Sequence, residues 1–133
     1  MGPLGSGQVT KICNQMLVSC NVLVLAEAFA LADKAGVDLQ QIPTALKGGF
    51  ADSIPLQLTG NRMANAEFDE VKWRVNTLLK DLDIANELAQ AQQRSVPMSG
   101  LAAELMRLYA SQGYGEQDPA NLIRCYREEK HQD

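Results

Sequence analysis

The sequence predicts an all-α domain, and three observations support this prediction. Apolar residues recur at three- and four-residue spacings over long stretches, as they do on one face of a helix. No segment alternates apolar and polar residues in the manner of a half-buried strand. Glycine, proline and capping residues divide the chain into about six helical segments with short connections. At 133 residues the chain is expected to form one domain, a helical bundle around a single core.

The first predicted helix is the longest. It covers Gln8 to Ala35, with Ser6 or Gly7 as its N-cap and Gly36 directly after its end. Apolar side chains surround most of Met16 to Ala32, which predicts burial on nearly all sides. Such a helix is about 40 Å long. Because a domain of this size does not need so long a helix, we expect part of its surface to pack on something else.

Five further helices are expected, each bounded by residues that begin or end helices. Their expected ranges are about Asp38–Lys47, Asp52–Asn65, Val75–Arg94, Ser99–Gln112 and Asp118–Glu129. Asp38, Ser99 and Asp118 are the expected N-caps. Pro43 should bend or shorten the second helix, because a proline inside a helix removes a backbone donor. The fourth helix has the clearest i, i+3, i+4, i+7 pattern of apolar residues.

Composition and charge narrow the classes of function. The net charge is −4, and the only close basic group is Lys72 with Arg74, so nucleic acid is not an expected partner. The single histidine, His131, lies in the C-terminal tail. Histidine-based metal sites and Ser-His-Asp triads are therefore not expected, and no metal ligand is assigned.

Cysteine usage predicts a reducing compartment. The chain has three cysteines and no C-x-x-C motif. Cys13 and Cys20, seven residues apart in an apolar stretch, are expected to be small buried thiols. A cytoplasmic location follows from this pattern. Asn21 and Glu27 interrupt the apolar stretch, which favours a buried core helix over a membrane span, and no membrane contact is expected.

The spacing of polar residues gives only a weak indication of chemistry. Gly5-Ser6-Gly7 opens a helix, where backbone N–H groups can approach an anion, but no predicted strand precedes it. Lys11 lies one turn into that helix, beside Asn14 and Gln15 at i+3 and i+4. A lysine with amide neighbours could hold a carboxylate and transfer a proton. The residues alone favour the other interpretation, a solvated lysine in the first turn.

A longer motif favours the catalytic interpretation of Lys11 over that of a solvated lysine. Residues 2–15 match G-x-x-G-x-G-x-x-x-K-x-x-N-[NQ], and this segment resembles the one that joins the two domains of β-hydroxyacid dehydrogenases. Further segments resemble that family in the same order: Glu27-Ala28, Ala35–Asp38, Gly48–Ser53, Lys80-Asp81-Leu82 and Gly113–Asp118. Gly2 to Ser6 is also the remnant of a common tag-cleavage site, but the resemblance favours a native origin.

The resemblance implies a fold, a role and a set of site residues. It implies a helical substrate-binding and dimerisation domain, similar to the C-terminal domain of 6-phosphogluconate dehydrogenase, without the Rossmann domain that precedes it in the family. Lys11 would be the general acid/base, and Asn14 and Gln15 would orient a small hydroxy acid or its semialdehyde. Trp73, where the family usually has phenylalanine, would line the cleft. Lys80 would lie at the edge of the NAD or NADP that the parent enzyme binds.

Differences within the family narrow the comparison and leave one alternative open. The Asn14-Gln15 pair and Cys125-Tyr126 resemble the 2-hydroxy-3-oxopropionate reductase branch more than 3-hydroxyisobutyrate dehydrogenases. Gln8 stands where 6-phosphogluconate dehydrogenases carry histidine, and this difference argues against that branch of the family. The resemblance also implies a homodimer or tetramer. Because one copy of so small a domain cannot cover the long first helix on all sides, the segment Val22–Leu31 is the expected contact. The isolated chain is expected to be inactive and to bind no cofactor. A helical dimerisation module without chemistry is the alternative.

Overall fold

A computed structural model describes residues 5–127, and every regular element within that range is helical. The elements, in chain order, are α1 (Ser6–Lys34), α2 (Gln41–Leu46), a π-helical segment (Leu56–Gly60) that continues into α3 (Asn61–Ala64), α4 (Val75–Ala91), α5 (Pro97–Tyr109), a π-helical turn (Ala110–Tyr114) and a 3-10 helix (Pro119–Cys125). The predicted all-α fold with a long first helix is therefore confirmed.

The core forms around the middle of α1. One side of this helix packs against α4, α5, the π-helical segment and the 3-10 helix. Val22 and Phe29 of α1 are buried there, together with Leu78, Met106 and Ile123 from three other elements. The first helix therefore positions the rest of the domain, including the elements that form the site described below.

The end of α1 was predicted correctly from the sequence, and the end of α4 was not. At the end of α1, Gly36 has φ +89°, Gly36 N donates to Asp33 O, and Val37 N donates to Ala32 O at 2.9 Å, so the predicted glycine stop is confirmed. The predicted end of α4 at Arg94 was wrong. Gln93 adopts φ +56° and closes the same pattern of hydrogen bonds, so α4 ends at Ala91 without a glycine.

Two predicted helix starts also differ from the structure. The N-cap of α1 is Gly5, whose N–H donates to Gln8 Oε1 at 3.1 Å, and the helix begins at Ser6. Helix α2 begins at Gln41 and not directly after Asp38. Asp38 accepts hydrogen bonds from Gln40 N and Gln41 N, so it forms a separate turn before the helix.

The start of α5 and the form of the last helix need correction as well. Pro97, and not a residue after Ser99, is the first residue of α5, because its fixed φ suits that position. Ser99 is buried inside the helix. The α-helical bonding of α5 ends at Tyr109, but a π-helical turn continues it as far as Gly113, whose φ of +104° ends the helical backbone after Gln112 as predicted. Asp118 caps the last helix as predicted, but that helix is of the 3-10 type and ends at Cys125. Glu129 lies outside the described residues.

Helix α1 keeps one face outside the core. Leu17, Val24 and Leu31, which follow each other at seven-residue spacing, are 73%, 53% and 72% exposed, and we call them the α1 face. Cys13 is also exposed, so the prediction of a buried thiol there was wrong, whereas Cys20 is half-buried. By length and composition alone α1 could cross a membrane, but its residues from Ser19 to Ala30 include seven that are buried in the core.

Candidate functional site

A cavity of about 650 Å³ lies between the N-terminal half of α1, the π-helical segment with the two residues before it, and the chain before α4. Its lining combines amides, two basic side chains and apolar groups: Asn14, Gln15, Val18, Ile54, Pro55, Leu58, Thr59, Arg62, Lys72 and Trp73. The structure therefore brings together three of the five predicted site residues, Asn14, Gln15 and Trp73. Volume and lining are typical of sites that bind small molecules.

The amide groups of α1 are oriented by a carboxylate of α4. Asn14 Nδ2 donates to Gln15 Oε1 at 3.0 Å, and Gln15 Nε2 donates to Asp81 Oδ2 at 2.6 Å. Because Asp81 accepts from the amide nitrogen of Gln15, the amide oxygen is directed to Asn14. The Oδ1 atom of Asn14 stays available to accept a hydrogen bond from a ligand hydroxyl.

The two predicted lysines lie outside the lining of this cavity. Lys11 is exposed. It lies three residues before Asn14 and four before Gln15, and therefore on the same side of α1 as both. Lys80 is exposed on α4, directly before Asp81. Both lysines are therefore close in sequence to members of the hydrogen-bonded series Asn14–Gln15–Asp81, and both ammonium groups face solvent.

Asp52 organises the loop that leads into the cavity wall. Its carboxylate accepts hydrogen bonds from Gly48 N at 2.8 Å and from Ser53 N and Gln57 Nε2 at 2.9 Å each. These bonds, chiefly the one from Gly48, lower the pKa of the Asp52 carboxyl. Ser53 Oγ then accepts from Leu56 N at 3.0 Å, which caps the helical segment that carries Leu58. The loop therefore determines where the helical segment that carries Leu58 begins, and with it this wall of the cavity.

The opposite wall depends on a buried ion pair. Asp118 is fully buried, and its Oδ2 lies 3.1 Å from Arg62 Nη1 and accepts a hydrogen bond from Lys72 N at 2.9 Å. Arg62 also donates to the carbonyl oxygens of Glu67 and Glu70. These bonds hold residues 67–72 against the 3-10 helix, and they determine where Trp73 enters the cavity.

Several residues that line the cavity or support its walls had not been predicted as site residues from the sequence. Ile54 and Leu58 are four residues apart, so a helix places them on one face, but this spacing occurs in any amphipathic helix. Arg62 and Asp118 are 56 positions apart, and no local pattern connects them. Asp81 belongs to the Lys80-Asp81-Leu82 motif, which is the one signal that could have identified it.

Comparison with known proteins is consistent with this arrangement. The sequence profile of the family described as "NAD-binding of NADP-dependent 3-hydroxyisobutyrate dehydrogenase" matches residues 5–126. The 2-hydroxy-3-oxopropionate reductase of Escherichia coli K12 is 33% identical over 125 residues, which are 94% of this chain and 42% of that protein. Human mitochondrial 3-hydroxyisobutyrate dehydrogenase is 28% identical over an alignment of 137 positions with gaps, which covers 97% of this chain and 40% of that protein. The chain thus spans about two-fifths of the length of these relatives.

Solved structures show the same fold. The 3-hydroxyisobutyrate dehydrogenase of Salmonella typhimurium superimposes with a TM-score of 0.84 at 24% identity, over 91% of this chain and 42% of that one. The 3-hydroxyisobutyrate dehydrogenase of Mycobacterium tuberculosis, solved with L-serine, gives a TM-score of 0.82 at 25% identity, over 96% of this chain and 45% of that one. The helical arrangement described above is therefore that of one part of a larger chain in both structures.

Proposed function

This chain belongs to the family described as "NAD-binding of NADP-dependent 3-hydroxyisobutyrate dehydrogenase", and we propose that it is the helical substrate-binding half of a β-hydroxyacid dehydrogenase. The parent enzyme would interconvert a small β-hydroxy acid and its semialdehyde in the cytoplasm. The observation that carries this proposal is the hydrogen-bonded chain from Asn14 through Gln15 to Asp81 at the edge of the cavity, with Lys11 on the same side of α1.

Lys11 is proposed as the general acid/base. In the oxidation its amine takes the proton of the substrate hydroxyl, and in the reduction its ammonium returns that proton to the carbonyl oxygen. A positive charge beside the oxygen also stabilises the alkoxide that develops there. Asn14, held by Gln15, would accept a hydrogen bond from the substrate and fix the hydroxyl toward Lys11. Asp81 acts through Gln15 and is therefore a positioning residue.

The described residues do not by themselves fit a dinucleotide. Residues 5–127 contain no strand followed by a glycine-rich turn and a helix, the unit that binds the pyrophosphate in Rossmann domains. Lys80 alone is proposed to face the cofactor. NAD(P) would be bound by another domain of the parent enzyme, where it would accept or donate the hydride.

The isolated chain should therefore bind neither NAD nor NADP and should show no dehydrogenase activity. Isothermal titration of the 133-residue chain with each cofactor tests the first expectation, and micromolar affinity for either would contradict it. The complete parent enzyme tests the proposed function itself. It should reduce NAD or NADP in the presence of glycerate or 3-hydroxyisobutyrate, and the absence of turnover with every β-hydroxy acid tried would refute the assignment.

A second role, self-association, is supported by the α1 face. Leu17 and Val24 of this face also line a groove of about 450 Å³ between α1 and α2, whose other wall includes Ile42 and Leu46. Exposed apolar surface of this kind marks sites of protein contact. The face lies on the opposite side of α1 from the buried Val22, so the expected contact takes only the outward-facing residues of the segment 22–31 and extends back to Leu17.

We expect the chain to form a dimer through the α1 face. Sedimentation velocity at micromolar concentration should give about twice the monomer mass of 14.5 kDa. Val24→Asp should shift the chain to the monomer, because it would bury a charge in the contact. Ile84→Asp is the matched control, since Ile84 is a partly exposed apolar residue of α4. A wild-type monomer, or equal effects of both variants, would contradict the expectation.

A further inference from the structure

We propose that the segment Gly113–Asp118, which we call the 113–118 segment, positions Trp73 against the substrate, and that Asp118 is the positioning residue through which it acts. The inference rests on the proposed function, because it takes the cavity beside Asn14 as the place where the hydroxy acid binds. It goes further in giving a role to a late segment of the chain that the proposed proton transfer does not use.

The 113–118 segment binds the chain on both sides of Trp73. On the side before it, Lys72 N donates to Asp118 Oδ2 at 2.9 Å. On the side after it, the first two N–H groups of α4, which have no partner within that helix, donate to backbone carbonyl oxygens of the segment. These two bonds are Val75 N to Gln117 O at 3.0 Å and Asn76 N to Gly115 O at 2.9 Å. One segment therefore caps α4 and holds Trp73 from both directions.

Asp118 is in turn fixed to the helix that carries Asn14. Its side chain is fully buried, and its Oδ1 accepts a hydrogen bond from Ala120 N at 2.9 Å at the start of the 3-10 helix, while its Oδ2 lies beside Arg62. The 3-10 helix packs on α1. Trp73 and Asn14 line the same cavity, so this series of contacts sets the distance between them. Every bond in it joins two groups of this chain, so it does not depend on which surfaces another domain covers.

The position of Trp73 should affect KM more than kcat. An indole forms a wall and transfers no proton, and a wall that packs on the substrate equally in the ground state and the transition state changes KM alone. Lys11 and Asn14 are carried by α1, so the proposed proton transfer stays intact when the Trp73 wall moves. A split between KM and kcat therefore distinguishes positioning by Asp118 from a general loss of folded enzyme.

Asp118→Asn separates positioning from capping. The amide oxygen of asparagine can still accept from Ala120 N, whereas its NH2 group would face Lys72 N and Arg62, which are donors themselves. In the parent enzyme, KM for the hydroxy acid should rise roughly tenfold, as after the loss of one good apolar contact, and kcat should stay within about twofold of wild type. A fall in kcat at unchanged KM would overturn the proposal.

A double-mutant cycle shows whether Asp118 acts through the tryptophan. Trp73→Ala alone should raise KM, and Asp118→Asn should add no further rise in that background, because its effect requires the indole. Additive effects, or an unchanged KM in Trp73→Ala, would overturn the proposal. Gly36→Ala is the stability control, since alanine rarely adopts the φ of +89° at the end of α1, and it should keep the wild-type KM. A rise in KM there equal to that of Asp118→Asn would also overturn it.

The single tryptophan of the chain gives a readout that needs no enzyme activity. In the folded 133-residue chain, Asp118→Asn should shift the emission maximum of Trp73 and raise its quenching by acrylamide, because Lys72 N has lost its acceptor. Gly36→Ala should leave both quantities at their wild-type values. Equal changes in the two variants would overturn the proposal.

Glu116→Ala is the second variant, for use where Asp118→Asn does not fold. Glu116 accepts a hydrogen bond from Asn76 Nδ2 at 2.9 Å and lies 3.3 Å from Arg74 Nε. These side chains are exposed, so the loss should cost little stability, yet it loosens the segment from the residues after Trp73. Acrylamide quenching of Trp73 should therefore rise in this variant too, and unchanged quenching in both variants would overturn the positioning role. Absent turnover in the wild-type parent enzyme would refute the proposed function and leave the fluorescence result valid.

Discussion

Replacement of Lys11 with alanine in the complete parent enzyme is expected to lower kcat by roughly 10²- to 10⁴-fold, the usual effect of losing a general acid/base group. The proton of the substrate hydroxyl would then have no acceptor beside Asn14 other than water. Steady-state kinetics with a β-hydroxy acid and the preferred cofactor measure this effect. The free energy of unfolding should change little, because Lys11 is exposed in the first turns of α1.

Two further variants separate proton transfer from charge. Lys11→Arg keeps the positive charge, but a guanidinium does not give up its proton near neutral pH, so kcat should stay close to that of the alanine variant. Lys47→Ala removes an exposed lysine that does not line the cavity and should have wild-type turnover. Wild-type kcat in Lys11→Ala would exclude Lys11 as the catalytic group, and recovery in Lys11→Arg would mean that the charge alone is needed.

Loss of the Arg62–Asp118 pair is expected to have the largest effect on stability. Arg62→Met leaves the carboxylate of Asp118 buried without its cationic partner, and breaking a buried pair in this way costs about 3–5 kcal/mol of unfolding free energy. Urea denaturation followed by circular dichroism measures the loss. The same substitution also frees the carbonyl oxygens of Glu67 and Glu70, so the fluorescence of Trp73 in the folded state should change.

An exposed ion pair provides the matched control. Arg107 Nη2 lies 2.7 Å from Asp83 Oδ1, and the hydrogen bond to Asp83 raises the pKa of Arg107. Both side chains are about half exposed, so Arg107→Met should lower the unfolding free energy far less than Arg62→Met does. Similar losses in Arg62→Met and Arg107→Met would show that burial does not determine the strength of the first pair.

The fold could be predicted from the sequence wherever the structure depends on local patterns. The apolar period and Gly36 determined the length of α1, and Asp118-Pro119 determined the start of the last helix. The end of α4 was not predictable in this way, because Gln93 adopts a conformation that glycine usually takes. The π-helical segment after Pro55 leaves no pattern in the residues either, since it differs from an α-helix only in backbone hydrogen bonding.

The candidate site was predictable only where it follows one helix. Lys11, Asn14 and Gln15 are neighbours on α1, so their spacing was sufficient to group them. The partner of Gln15, Asp81, is 66 residues away, and the cavity is formed by segments that meet only after folding. Lys80 was predicted from its motif, but its position outside the cavity lining depends on how α4 packs against α1.

The packing of the 3-10 helix on α1 has a consequence for synthesis on the ribosome. Helix α1 is translated before the other described elements, but one of its sides is covered by Pro119–Cys125, which is translated after them. At ordinary elongation rates the interval between the two is on the order of ten seconds. During that time the side of α1 that the 3-10 helix covers stays open to other nascent chains. A chaperone that binds apolar surface would therefore protect α1 until Pro119–Cys125 has been made and has packed on it.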